Sequence, residues 1–184
     1  MPPQRRIDRV IDSVKRLQRI GASANLLNLL QKQHPADLAE VFGELSDKDC
    51  RGALTLLLDH NSRLAMEALI EYGAKHSAAL LADHPADQLA VWLQELPSDD
   101  AVALIDELPD DLSAAVLEQM RPQASGDVEN LLEYAEETAG RIMNPMVFAL
   151  ADDLTAGEAI GALQGSREVE MVFYLYVVDD RRHL

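Results

Sequence analysis

The phrase His34-Pro35-Ala36-Asp37 returns fifty residues later as His84-Pro85-Ala86-Asp87. Each copy leads into an apolar stretch that ends in Glu-Leu, first Glu44-Leu45-Ser46 and then Glu95-Leu96-Pro97. A third copy of the ending, Glu107-Leu108-Pro109, follows twelve residues after the second. The spacing predicts helices of about two turns, each closed by a Ser or Pro turn and restarted by acidic residues. Pro suits a helix start because its missing N–H would be unpaired there, and acids in the first turn complement the helix dipole. A helix this short cannot bury its apolar face alone, so the units must stack on one another.

The predicted fold is therefore mainly α, a superhelical stack of short helices in the armadillo or HEAT manner. Ala and Leu dominate while Val and Ile are sparse before the last forty residues, which favours helix through most of the chain. Ahead of the repeats, Ile7, Val10, Ile11, Val14, Leu17 and Ile20 keep a three-and-four spacing. That spacing predicts one amphipathic helix, broken near Gly21, and a second short helix over Ala24 to Leu30.

Charge is distributed unevenly. Residues 1–33 hold seven basic and two acidic side chains, net +5, whereas residues 34–184 hold nine basic and thirty acidic ones, net −21. Between residues 83 and 137 Arg121 is the single basic residue among fifteen acids. Such a surface repels phosphate backbones, so nucleic acid is excluded as a partner of the body of the protein. An acidic surface serves solubility in any case; its sharper meaning is a face that needs cations to sit against another acidic face. The basic face of the first helix is either solvated or able to meet lipid headgroups or an acidic partner.

Single residues carry little chemistry. His34 with Asp37, and His84 with Asp87, have metal-ligand spacing, but a helix start explains both pairs and no Cys or third ligand accompanies them. Cys50 has no strong base nearby, which argues against a nucleophile, and no partner for an internal disulfide, so nothing here calls for an oxidising compartment. Trp92 shares the apolar side of Leu89, Leu93 and Leu96 and reads as core. The longest apolar run, Met171 to Val178, is too short to span a bilayer as a helix, and Met1 to Ile20 lacks the apolar stretch of a secretory signal. A soluble, cytosolic chain is the expectation.

Past residue 123 the pattern changes. Ala124 to Asp127 reads as a break and Val128 to Tyr134 as a short helix. Val147 to Leu150 reads as an extended stretch. Thr155 stands as the N-cap of a helix to Leu163, with Glu158 completing a capping box. Phe173-Tyr174-Leu175-Tyr176-Val177-Val178 is a strand. Two strands and one helix cannot close a sheet, so the polypeptide is expected to continue past Leu184.

The run Tyr134-Ala135-Glu136-Glu137-Thr138-Ala139-Gly140-Arg141-Ile142-Met143-Asn144-Pro145 resembles the junction between the helical domain and the first cystathionine-β-synthase (CBS) motif of MgtE-type magnesium transporters. The resemblance runs back to His34-Pro35-Ala36-Asp37 and forward to the strand ending at Asp179. It implies an amino-terminal helical domain over residues 1–133 and an incomplete α/β CBS module over residues 134–184. It further implies a non-enzymatic, cytosolic gating region on the inner face of a bacterial membrane, in a homodimeric channel. Its partners would be the remaining CBS and transmembrane domains of the same polypeptide, with contact to the membrane only through the latter. Magnesium would close the acidic domains over one another.

By the Glu-Leu-Pro-Ser-Asp-Asp phrase, the resemblance puts Asp99 at a magnesium-facing position with Asp100 beside it, and it puts Glu67 at another. A family acid four residues after Asp99 is Ala103 here, which leaves one site weakened or rearranged. A complete nucleotide pocket is not expected from half a CBS pair, and Gly157, Gly161 and Gly165 have the wrong spacing for a dinucleotide loop. Two other readings stand beside this one. The first is a helical protein-interaction scaffold indifferent to magnesium. The second is a hydrolase using Asp99 and Glu67, for which no nucleophile or oxyanion motif is present.

Overall fold

The computed structural model describes residues 3–135, 138–145, 147–165, 174–181 and 183–184. The chain divides into two compact units, Met1–Ile142 and Met143–Leu184. Nine helices make up the described part of the first: α1 Pro3–Arg19, α2 Ser23–Leu30, α3 Pro35–Glu44, α4 Asp47–Tyr72, α5 Ala74–Leu81, α6 Ala86–Leu93, α7 Ser98–Asp106, α8 Asp110–Gln119 and α9 Pro122–Leu132.

The helix starts follow the repeated phrases. His34 is the N-cap of α3 and accepts a hydrogen bond from the amide of Ala36 at 3.3 Å. In the second copy the helix begins one residue later, so Pro85 occupies the cap position of α6. Pro97 and Pro109 take the same place before α7 and α8, while Pro35 and Pro122 stand inside the first turn as expected. Ser46 caps α4, accepting from the amide of Asp49 and donating to its carboxylate at 2.8 Å.

Packing solves the problem posed by short helices. α3 lies against α4, α6 against α8, α7 against both α5 and α9, and α4 also touches α1, α2, α5 and α6. Ile7, Val10, Ile11 and Val14 of α1 join Leu30, Phe42, Leu57, Leu69, Leu93 and Leu104 in one continuous core. Trp92 packs at its margin, half-buried. Reversals between helices use backbone that only glycine adopts cheaply: Gly21 has φ +68° between α1 and α2, and Gly73 has φ +97° between α4 and α5.

Two helical elements differ from the sequence reading, and the strand read from Phe173 begins only at Tyr176 among the described residues. The expected break over 124–127 is absent, because Pro122 starts α9 at its first position and the helix runs unbroken through Gly126. The long α4, which the repeats do not announce, is interrupted at Asn61, whose backbone is non-helical (φ −155°, ψ 70°). The Asn61 carboxamide oxygen accepts from the amide of Leu64 at 3.2 Å and so restarts the helix.

The second unit is a small α/β module among the described residues. Strand β1 (Ala149–Ala151) leads through α10 (Ala156–Gly165) to β2 (Tyr176–Val178), and the strands pair in parallel with Leu150 opposite Val177. The capping box forms as read, the Glu158 carboxylate accepting from the Thr155 amide at 2.9 Å and its hydroxyl at 2.7 Å. α10 buries none of its side chains, and Tyr174, Leu175, Tyr176 and Val177 are exposed. Phe173, the first residue of the expected strand, lies outside the described residues.

Candidate functional site

The α7 N-terminus gathers the acids singled out above. Asp99 and Asp100 occupy its first turn, and Pro97 at the cap position supplies no side-chain hydrogen bond. The Ser98 hydroxyl and the Asp99 Oδ1 atom are buried without a hydrogen-bond partner, although both residues are only half-buried as a whole. An unpaired buried polar atom costs roughly 1–3 kcal/mol, and more when charged. The Asp99 Oδ1 atom thus has no hydrogen-bond partner among the described residues. Ala103, one turn further along α7, presents an exposed methyl group where the resembled family carries an acid.

Glu67 lies on the second segment of α4, where the Arg63 guanidinium donates to it at 2.9 Å across one helical turn. The pair is exposed and worth about 0.3–0.5 kcal/mol, so a competing cation can displace it. No three His, Cys, Asp or Glu side chains among the described residues are placed to hold a metal ion together. Asp99, Asp100 and Glu67 thus form no ready-made cage. What they offer is hard oxygen donors singly or in pairs, which fits a small cation that keeps most of its water.

The remaining candidates have structural roles. His34 is occupied as a cap, and Asp37 pairs with Arg6 at 3.5 Å. His84 stands edge-on to Trp92, ring centroids 5.1 Å apart. Burial, reinforced by the negative charge of Asp47, pushes the Cys50 thiol up to about 11, so at neutral pH it is protonated and unreactive.

Three arginines make long-range contacts that no periodicity announces. Arg121, alone among the acids, ties the start of α9 to the end of α6 through Gln94 Oε1 at 3.1 Å and Glu95 at 2.8 Å. Arg51 reaches from α4 to Asp83 at 2.6 Å and to the carbonyl of Ala79 at 3.2 Å. Arg141, with a side chain only 11% exposed, grips both carboxylate oxygens of Asp106 and touches the carbonyls of Leu131 and Tyr134. Of the three, Arg121 alone carries a signal in the sequence, its isolation, since a lone arginine in an acidic stretch has many partners to choose from.

Stacked short helices with acid-rich first turns, followed by a β-α-β piece, define an acid-faced helical module. Comparison with known proteins gives the family. The profile described as "MgtE intracellular N domain" matches residues 33–137. The magnesium transporter MgtE of Enterococcus faecalis is 33% identical over 63 residues, 34% of this chain and 14% of that protein. That of Thermus thermophilus is 33% identical over 64 residues, with the same shares. The matched segment thus spans about a seventh of either relative.

Among solved structures, the cytosolic domain of the Mg2+ channel MgtE in complex with ATP superposes with a TM-score of 0.79 at 26% identity, covering 93% of this chain and 69% of that one. The soluble part of a magnesium transporter gives 0.77 at 21% identity, covering 97% and 70%, and bears on the fold alone. The chain belongs to the MgtE intracellular N-domain family. Among the described residues no helix is long and apolar enough to cross a membrane.

Proposed function

We propose that this chain is the cytosolic regulatory region of a magnesium transporter or channel, and that it senses intracellular magnesium through acidic surfaces between domains. Residues 1–133 are then the helical domain and residues 134–184 the first part of a CBS domain. The partners are the remaining CBS and transmembrane domains of the same polypeptide, and the assembly is a homodimer. The region regulates and does not catalyse. Family membership supports the general reading, and the observation that carries the magnesium part is the buried, unpaired oxygen of Asp99.

The physics follows from the charge. Two acidic faces repel at low magnesium, and a divalent cation between them removes the repulsion. Magnesium prefers oxygen ligands at about 2.0–2.1 Å, dehydrates reluctantly and is commonly held by only one or two carboxylates. Asp99 with Asp100, and Glu67 after it leaves Arg63, supply such carboxylates. The ion binds the compact arrangement better than the separated one, as a population shift requires. Weak ligation suits the role, because a tight cage would stay filled at every intracellular concentration.

The test is a magnesium titration of the 184-residue chain followed by amide resonances, at fixed ionic strength. The amides of Ser98 to Ala101 should move saturably with magnesium and not with sodium, and Asp99→Asn with Asp100→Asn should abolish the movement. Shifts spread evenly over all acidic helices would place the ion elsewhere.

A further inference from the structure

The net charge conceals a basic concavity of about 950 Å³ at the opposite extreme of the composition, between α1, the start of α2 and the first segment of α4. Lys15 and Arg19 line it from α1, Lys48 and Arg51 from α4, against Asp49 and Asp59. Some of these charges are committed. Arg51 is paired with Asp83, and Asp49 accepts from the Ser46 hydroxyl. Among the described residues no ion pair engages Lys15, Arg19 or Lys48. Lys15, Arg19 and Lys48 therefore face the carboxylates of Asp49 and Asp59, and with Arg51 balanced by Asp83 the lining is net positive in a protein of net charge −16.

Two further features sit on the same wall. Gly21 and Ser23 line the concavity at the start of α2, where Ala22 occupies the cap position and no side chain caps the helix. The positive end of α2 thus adds to the lysines and arginine. Leu17, Leu26 and Leu56 supply apolar wall beside the charges. At physiological ionic strength screening acts over about 8 Å, so the charges lining the groove outweigh the acidic body further away.

We infer that this groove binds a phosphate-bearing anion, its phosphoryl oxygens met by Lys15, Arg19, Lys48 and the α2 start, and its organic part lying on the leucines. Compact, multiply charged oxyanions suit cations that converge from several elements better than a single carboxylate does. The inference is independent of the magnesium reading, since it uses neither α7 nor Glu67. The same chemistry occurs in a free phosphorylated molecule and in an anionic lipid headgroup, and the experiment separates the two.

The 184-residue chain is titrated calorimetrically with tripolyphosphate at 0.15 M salt without divalent cations, and in parallel sedimented with phosphatidylglycerol vesicles. The groove variant carries Lys15→Gln, Arg19→Gln and Lys48→Gln. A control with equal charge loss carries Arg16→Gln, Lys32→Gln and Lys75→Gln, all exposed and outside the groove. Expected is saturable binding that weakens at least tenfold in the groove variant and less than twofold in the control, with shifts at the amides of Gly21 and Gly52. Such loss with tripolyphosphate assigns the groove to soluble phosphates, and the same loss with vesicles alone assigns it to headgroups. Absence of binding to either probe, or equal loss in both variants, overturns the inference.

Discussion

Asp106 and Arg141 offer a quantitative test of how the helical unit holds its last turn. The guanidinium is 11% exposed and the carboxylate 40%, with Nη2 to Oδ2 at 2.6 Å and Nε to Oδ2 at 3.1 Å. Removing one member of a fully buried pair costs about 3–5 kcal/mol, whereas a surface pair is worth about 0–1 kcal/mol. The geometry lies between these limits, and the two members are not equivalent. Asp106→Ala leaves a nearly buried cation with only two carbonyls at 3.4 Å, which places its cost at about 2–3 kcal/mol. Arg141→Met leaves a carboxylate that water can reach and retains most of the aliphatic stem, which places its cost at about 1–2 kcal/mol. Urea denaturation with unchanged slope would report both, as midpoint shifts in that order. The exposed pair Arg63 and Glu67 is the reference, expected to lose under 1 kcal/mol. If Arg141→Met proved the costlier change, or if neither exceeded the reference, the clamp would be worth no more than an exposed ion pair and the argument from burial would fail.

Further outcomes follow from other sites. Cys50 should react with iodoacetamide at neutral pH at least a hundredfold more slowly in the native chain than in urea. Its thiol is raised from 9.0 in the unfolded chain to about 11 in the folded one. Stability from keeping it neutral is thus complete below pH 9 and is lost as pH climbs through 11, a decline that Cys50→Ala should reduce, the remainder belonging to Tyr72, whose phenol burial also raises. Gly140→Ala sets a methyl group against the ring of Tyr134, where a Cβ would overlap its atoms. The loss should be about 1–3 kcal/mol and should shrink in combination with Tyr134→Ala, as paired denaturation curves would show. Hydrogen bonds from Thr155 hold the Glu158 carboxyl below its ordinary 4.5, so amide protection at the start of α10 should fall as pH drops through that range. Thr155→Ala should remove the pH dependence.

What the sequence made legible was mostly local. His34, Ser46 and the Thr155 and Glu158 box act within four residues of themselves, and their spacing alone foretells the helix starts. No break forms at 124–127, because Pro122 at the helix start sets the first turn and outweighs the propensity of Gly126. Asn61 looked like any polar residue inside a long helical stretch, and its cap appears only once the chain has turned there. The arginine staples join residues 26 to 35 positions apart, beyond the reach of any periodicity. At the candidate site the acids of α7 were visible as a phrase, but a buried and unpaired oxygen on Asp99 is a property of packing. Ala103 was legible as a departure, and its exposure on α7 leaves that position without a donor.

The central claim is that magnesium draws acidic domains together, and solution scattering of a polypeptide extended through a second CBS motif tests it most directly. Magnesium is raised through the millimolar range while sodium is lowered to hold ionic strength constant. The account expects a saturable fall in radius of gyration with magnesium, absent with sodium and weakened by Asp99→Asn with Asp100→Asn. An unchanged radius at every magnesium concentration would contradict it, and would leave a helical scaffold whose partner is a protein.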